Sequence, residues 1–560
     1  MLQEVKRGIV AALAIAMAAT VGSFGLASTA NADEASQSSG DITISGLSGS
    51  KVKVDAYKII DEQVGADNAP IAPGLTWDST VAEWISSNSN QDYRKYIGEN
   101  NTVSKTYQDI VSDSTTDPDS GIDANTHQTI GNVAKFLDDL ANSRKLPSNP
   151  KSVTSDGQDA ITLNLPVGGY YIEITSTYGP YVYRAIAANV IPEWNETIKQ
   201  WEIKPQTVVA KRSKAGMDKV INGGRDDDNI NTGKDNKDQG SDTASIGETV
   251  NFDLYTDVPV YPSNAINKKY LISDVMKESE GLTFGKIVKV EATKDTNSDS
   301  KNYKTLAAGD AYTLNTPGKD ANGNATTFTL DFNYEKIRGY RKIHVAYTAT
   351  VNENAKPGQA MVNDAKLQYS NNPYTNEDFH TEEDKTKVYT FGIRVIKVGE
   401  ENERLTGAEF TLADSGENVL AFVKVGDGEY RRATNDDKDT TTNLAVNDQG
   451  ELRVYGLKGA DDKGKPLTYK LSETKAPGGY LKLTKPIPVT LTPQQDNNKD
   501  YTGTLGSTTD AGYVTETVKN QKSGTLPKTG GIGTIIFSVL GALMVAGGVL
   551  LIGSRRKKNA

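Results

Sequence analysis

The chain has 560 residues, a net charge of −10, no cysteine, and three histidines set far apart at His127, His344 and His380. The acidic balance argues against nucleic acid as a partner, because phosphates demand a basic face. Scattered histidines without cysteine leave no ligand spacing for zinc or copper, and no nucleophile and base pairing for a familiar hydrolase, so neither a metal nor a cofactor is expected.

At the amino end Lys6 and Arg7 precede an alanine-rich apolar run from Ile9 to about Leu26, and Ala30-Asn31-Ala32 stands before Asp33. A basic start, a short apolar run and a small-residue exit read as a secretory signal over 1–32, cleaved between Ala32 and Asp33. A membrane-spanning anchor would need about 20 strongly apolar residues and no such exit. Export removes the chain from the reducing cytoplasm, yet it contains no disulfide, so another kind of staple or none holds its domains.

The first domain is expected over 33–211. Ile42-Thr-Ile-Ser, Val52-Lys-Val-Asp-Ala-Tyr, Ala160-Ile-Thr-Leu-Asn-Leu and Tyr171-Ile-Glu-Ile have the alternation and β-branched content of strands. Helical patterning is confined to short insertions near Val81 to Ile85 and Ile130 to Ala141. A polar stretch from Gly223 to Ser245 holds Asp226-Asp-Asp-Asn and Lys234-Asp-Asn-Lys-Asp. It lacks the glycine and terminal glutamate of an EF-hand loop and reads as a solvated loop.

A second domain, 212–387, shows its first clear strand after that loop at Ile246-Gly-Glu-Thr-Val. A third, 388–520, opens at Val388-Tyr-Thr-Phe-Gly-Ile. The spacer 521–531 leads to an uncharged stretch, 532–553, followed by a basic tail, 554–560, with Arg555, Arg556, Lys557 and Lys558. At about 1.5 Å per residue this stretch spans a roughly 30 Å hydrocarbon core, and the basic cluster stays inside, so the middle of the chain faces outward.

Immediately before the apolar span stands Leu526-Pro527-Lys528-Thr529-Gly530. Motif, span and basic tail in this order resemble the three-part cell-wall sorting signal of Gram-positive surface proteins. The resemblance implies that a sortase cysteine attacks the Thr529 carbonyl, releases Gly530 onward and holds Thr529 as a thioester, which an amine from elsewhere resolves. Trp201-Glu-Ile-Lys-Pro-Gln-Thr-Val-Val-Ala-Lys211 resembles the pilin motif of sortase-assembled shaft pilins, and Lys211 would then be that amine. The Tyr-Pro pair usual before the lysine is missing, so Lys204 and Lys214 remain alternatives.

Tyr469-Lys-Leu-Ser-Glu473-Thr-Lys-Ala-Pro-Gly-Gly-Tyr480 resembles the E-box of CnaB-type β-sandwiches. In that family a first-strand lysine condenses with a last-strand asparagine, assisted by the E-box glutamate. The matching residues are Lys397, Asn520 and Glu473. Burial lowers a lysine's pKa and raises a carboxyl's, which suits the chemistry. Lys219 and Asn363 are similar to the corresponding positions of the middle domain of shaft pilins, with Asp257 as the acid and Asp274 as the alternative. The first domain shows no such set.

The chain is thus similar to the major shaft subunits of sortase-assembled Gram-positive pili. The resemblance implies a mainly all-β chain of tandem Ig-like, CnaB-type sandwiches, carried on pili and anchored to the wall after transient membrane retention. It is not expected to be an enzyme beyond single-turnover cross-linking of itself. The implied partners are a class C pilin sortase and a housekeeping sortase, identical subunits, tip and base pilins and peptidoglycan, with room for a host-surface receptor. The rival readings are a wall-anchored or tip adhesin, which usually carries a large added binding region, and an anchored hydrolase, for which the residue inventory is lacking.

Overall fold

The structure is a computed structural model that describes residues 38–524 except 113–120, 123–128, 131, 223–239, 297–300, 376–377 and 507–511. The secretory signal, most of the polar stretch after Gly223, the Leu526 to Gly530 motif, the 532–553 span and the basic tail lie outside the described residues. Among the described residues no helix is long and apolar enough to cross a membrane.

Two sheets make the first sandwich. Gln206–Val209, Ser39–Ser45 and Ala160–Pro166 form one; Ile186–Val190, Gly168–Tyr178, Lys51–Val64 and Pro70–Trp77 form the other, with Lys151–Ser155 also paired to Lys51–Val64. In Ser39–Ser45 the period of two sends Ile42 and Ile44 inward and leaves Asp41 outside. They join Val52, Val54, Leu163, Leu165, Ile172 and Ile174 in one core.

Helical segments follow Trp77 as a cap on this sandwich: Ser79–Ser86, Lys105–Ser112 and Asn132–Asn142. The first starts at Asp78, whose Oδ1 accepts the N–H groups of Thr80 and Val81 and so satisfies two donors that a helix start leaves unpaired. Its apolar face buries Val81, Ala82, Trp84 and Ile85. The helices close around Phe136, whose ring lies 5.3 to 5.8 Å from those of Trp77, Trp84, Tyr93, Tyr96 and Tyr107. Lys105–Ser112 was not expected from sequence, because Tyr107, Ile110 and Val111 give too sparse an apolar stripe.

The second sandwich pairs a five-stranded sheet with a six-stranded one. In order, the first holds Met217–Ile221, Thr249–Asp257, Lys342–Val351, Leu282–Thr293 and Lys304–Thr305. The second holds Ser241–Thr243, His380–Tyr389, Met361–Tyr369, Tyr270–Met276, Phe328–Phe332 and Tyr312–Asn315. The strand expected at Ile246 starts at Thr249, and Ser241–Thr243 precedes it, pairing in parallel with His380–Tyr389. That strand continues through Tyr389, and the next sheet begins with Phe391.

In the third sandwich the first and last strands, Phe391–Val398 and Tyr513–Lys519, lie side by side and parallel. They belong to a sheet completed by Glu451–Leu457, Glu429–Arg432 and Phe422–Gly426. The facing sheet holds Leu444–Ala445, Glu409–Ala413, Thr468–Lys475 and Ile487–Thr490. Acidic turns join many strands. At Asp320, Asp414, Asp461 and Asp496 the carboxylate accepts the N–H groups two and four residues on, so these clusters are turn chemistry.

Both seams are hydrogen-bonded. Tyr369 and Asn371 of the second sandwich donate to the carbonyls of Pro180 and Gly179 in the first. Thr243 Oγ1 accepts from the N–H groups of Gly459 and Ala460 in the third, and Ser241 Oγ accepts from Tyr501 N at 2.6 Å. Glycines let the second and third sandwiches touch backbone to backbone. A Cβ on Gly503, at φ +78°, would sit 2.2 Å from Gly358 O.

Candidate cross-linking sites

In the third sandwich three elements converge on one buried point. Lys397 pairs across the parallel ladder with Val518, and because side chains alternate, Asn520, two residues beyond Val518, shares the core face with Lys397. Lys397 and Asn520 are 0% exposed and Glu473, reaching over from the facing sheet, is 4% exposed. Lys397 Nζ lies 2.5 Å from Asn520 Oδ1, 3.0 Å from Val518 O and 3.8 Å from Glu473 Oε1. Asn520 Nδ2 donates to both Glu473 oxygens, at 3.0 and 2.9 Å, and to Leu481 O at 2.9 Å.

Burial brings the Lys397 amine down to about 8, against the opposing pull of Glu473. An amine with a substantial neutral fraction therefore rests on a side-chain amide whose nitrogen is held by an acid. Such an arrangement can support amide exchange: attack of Nζ on Cγ of Asn520 and departure of the amide nitrogen as ammonia.

The second sandwich holds a related cluster built across its two sheets. Lys219, on Met217–Ile221, places Nζ 2.9 Å from Oδ2 of Asp274, on Tyr270–Met276 in the facing sheet. Asn363, on the neighbouring Met361–Tyr369, meets Asp274 through Tyr347: the Tyr347 hydroxyl donates to Asp274 Oδ2 at 2.6 Å and accepts from Asn363 Nδ2 at 3.1 Å. Burial drives the Lys219 amine down and the Asp274 carboxyl up, each toward its neutral form.

Asp257 lies elsewhere. Thr249–Asp257 alternates with Phe252, Leu254 and Thr256 inside, which turns Asp257 to the opposite face. There its Oδ1 accepts from Lys342 Nζ at 3.0 Å. The inward residues of the Tyr270 strand, with Tyr270, Ile272, Asp274 and Met276 in one register, are the pattern that points to Asp274 instead.

Lys211 is half-buried at the seam between the first two sandwiches. It lines a cavity of about 60 Å³ with Leu137, Asp138, Tyr171, Arg184, Pro262 and Ser263. Burial, and then the Arg184 charge, lower its amine to about 8. The alternatives differ: Lys204 is exposed and pairs with Glu193 at 3.1 Å, and Lys214 is exposed beside the Tyr181 ring. Arg184 and Asp138 escaped the sequence reading because they reach Lys211 only through the fold. Among the described residues of the first sandwich no lysine is buried, and none of the described residues form a group of three or more His, Cys, Asp or Glu that could hold a metal ion.

Comparison with known proteins adds three matches in chain order. Residues 246–373 match the Gram-positive pilin backbone subunit 2, Cna-B-like domain; residues 391–505 match a prealbumin-like fold domain; residues 518–560 match the LPXTG cell wall anchor motif. The chain is 27% identical over 442 residues to the trypsin-resistant surface T6 protein of Streptococcus pyogenes serotype M6, covering 68% of this chain and 76% of that one. It superposes on the T6 backbone pilin structure from the same serotype with a TM-score of 0.50 at 18% identity, covering 89% of this chain and all of that one. A TM-score of 0.47 at 18% identity relates it to the major pilin SpaD of Corynebacterium diphtheriae, with the same coverage. In chain order, then, the protein carries a stretch that matches a Gram-positive pilin-backbone domain, one that matches a prealbumin-like domain and an LPXTG wall anchor, the make-up of a surface pilin anchored to the cell wall.

Proposed function

We propose that this chain is the repeating shaft subunit of a covalent pilus. A sortase joins the Thr529 carbonyl of one subunit to the Lys211 amine of the next, and internal Lys397–Asn520 and Lys219–Asn363 amide bonds brace the third and second sandwiches. The observation that carries the reading is the buried meeting of Lys397, Asn520 and Glu473: burying a lysine costs several kcal/mol, and here it sets the amine 2.5 Å from the side-chain amide oxygen of Asn520, with Glu473 on the amide nitrogen. Asp274 takes the acid's part in the second sandwich, because it contacts Lys219 while Asp257 faces away.

Lys211 supports the polymer reading by position and chemistry. Its depressed amine is a nucleophile near neutral pH, and it is only half-buried, at a seam lined by both sandwiches. The 532–553 span would keep the substrate beside a membrane-bound sortase and raise its effective concentration. The chain then supports adhesion by carrying tip pilins away from the cell.

Intact-mass measurement of the denatured ectodomain, residues 33–524, tests the internal bonds. The reading expects a mass lower than the sequence mass by two molecules of ammonia, and linked peptides joining Lys397 to Asn520 and Lys219 to Asn363. A mass equal to the sequence mass contradicts it.

A further inference from the structure

We propose that Tyr347 is a catalytic residue of the second sandwich, its hydroxyl carrying the proton from Asp274 to the nitrogen that leaves Asn363. The proposal rests on the reading that Lys219 condenses with Asn363.

The two clusters differ in one respect. In the third sandwich Glu473 touches the leaving nitrogen directly, with both oxygens within 3.0 Å of Asn520 Nδ2. In the second the acid is an aspartate, one methylene shorter, and the partner of Asn363 Nδ2 is the Tyr347 hydroxyl. An unbroken chain results: Lys219 Nζ to Asp274 Oδ2 at 2.9 Å, Oδ2 to Tyr347 Oη at 2.6 Å, and Oη to Asn363 Nδ2 at 3.1 Å. All four residues are at most 2% exposed, so water is no substitute for a missing link.

The fold holds the tyrosine in place from every side. Val345, Tyr347, Ala349 and Val351 share the inward register of Lys342–Val351. The Tyr347 ring stacks on Phe252 at 5.3 Å and meets Phe328 edge-on at 5.1 Å. Burial holds its hydroxyl well above the ordinary phenol range, so it keeps a proton to pass on.

The step balances. Neutral Lys219 Nζ bonds to Cγ of Asn363 as the Cγ–Oδ1 π bond opens, Oδ1 takes the proton of neutral Asp274, and the carboxylate so formed accepts the surplus proton of Nζ. The amide nitrogen, now tetrahedral, gains a lone pair; the Tyr347 hydroxyl turns to donate to it and takes the Asp274 proton in exchange. The Cγ–Nδ2 bond breaks, ammonia leaves, Oδ1 gives its proton back to Asp274 as the carbonyl re-forms, and Lys219 and Asn363 share an amide, with Asp274 and Tyr347 returned to their starting states.

The test follows linked peptides over time in full ectodomain made by cell-free synthesis. The Lys397–Asn520 bond of the same molecule serves as an internal clock and, with far-UV circular dichroism, as proof of folding. In Tyr347→Phe the Lys219–Asn363 peptide is expected to form about 100-fold more slowly, while the Lys397–Asn520 peptide forms at the wild-type rate. Asp274→Glu combined with Tyr347→Phe, which lets a longer acid reach Nδ2 itself, is expected to recover the bond. A wild-type rate in Tyr347→Phe overturns the relay and leaves the condensation standing. Absence of the Lys219–Asn363 peptide from wild-type protein overturns the condensation itself.

Discussion

Lys397 stands opposite Val518 in a parallel ladder, and that register alone brings Asn520 into the core beside the lysine amine. A slip of one residue would present Lys519, which is exposed, in its place. A bond between these two residues joins the first and last strands of the sandwich, so tension entering at one end and leaving at the other passes through a covalent link and not through the ladder hydrogen bonds.

Glu473→Gln keeps the size of the acid but cannot shuttle protons. The Lys397–Asn520 bond should be absent, adding one ammonia to the intact mass. By analogy with a disulfide closing a loop of this length, the third sandwich should lose roughly 4 to 5 kcal/mol, read as a lower denaturant midpoint.

Asp274→Asn and Asp257→Asn should separate cleanly. The first removes the acid from Lys219 and should leave the Lys219–Asn363 peptide unlinked. The second breaks a pair with buried Lys342 on the other face of the Thr249–Asp257 strand and so costs stability without touching the Lys219 cluster. Peptide mapping should find the bond intact there.

With its amine lowered to about 8, Lys211 should act as sortase acceptor at a rate that climbs up to about that pH and then levels, normalised to a small amine acceptor under the same enzyme. An ordinary lysine would go on gaining toward roughly 10.4. The unfolded chain holds this proton more tightly than the folded one, so Lys211 also makes folding stability rise with pH between these values. Lys211→Gln should remove that slope in pH-resolved unfolding.

Gly503→Ala places a Cβ against Gly358 O from a backbone at positive φ. Strain and displacement of the seam should cost about 1 to 3 kcal/mol. Limited proteolysis should cut near the junction of the second and third sandwiches sooner than in the wild type, while the Lys397–Asn520 bond still forms.

Much of this was legible in the sequence, for identifiable reasons. Alternation and turn residues mark the strands, Glu473 sits in an E-box-like stretch, and Lys397 and Asn520 lie near the two ends of the same domain. What escaped depends on which face a strand shows and what faces it. Asp257 and Asp274 both lie on strands, and only the inward register of Tyr270, Ile272 and Met276 distinguishes the second. Tyr347 reads as one more core aromatic until Asp274 and Asn363 are placed around it. Lys211 was singled out by its motif, but its cavity needs Pro262 and Ser263 from the next sandwich, which no local pattern announces.

The most direct measurement of the shaft-subunit claim is denaturing electrophoresis of wall extracts from cells carrying wild-type protein, Lys211→Ala or Thr529→Ala. The account predicts a high-molecular-weight ladder for the wild type that both substitutions collapse to monomer. A wild type that runs only as monomer, or a ladder that persists in Lys211→Ala, would contradict it.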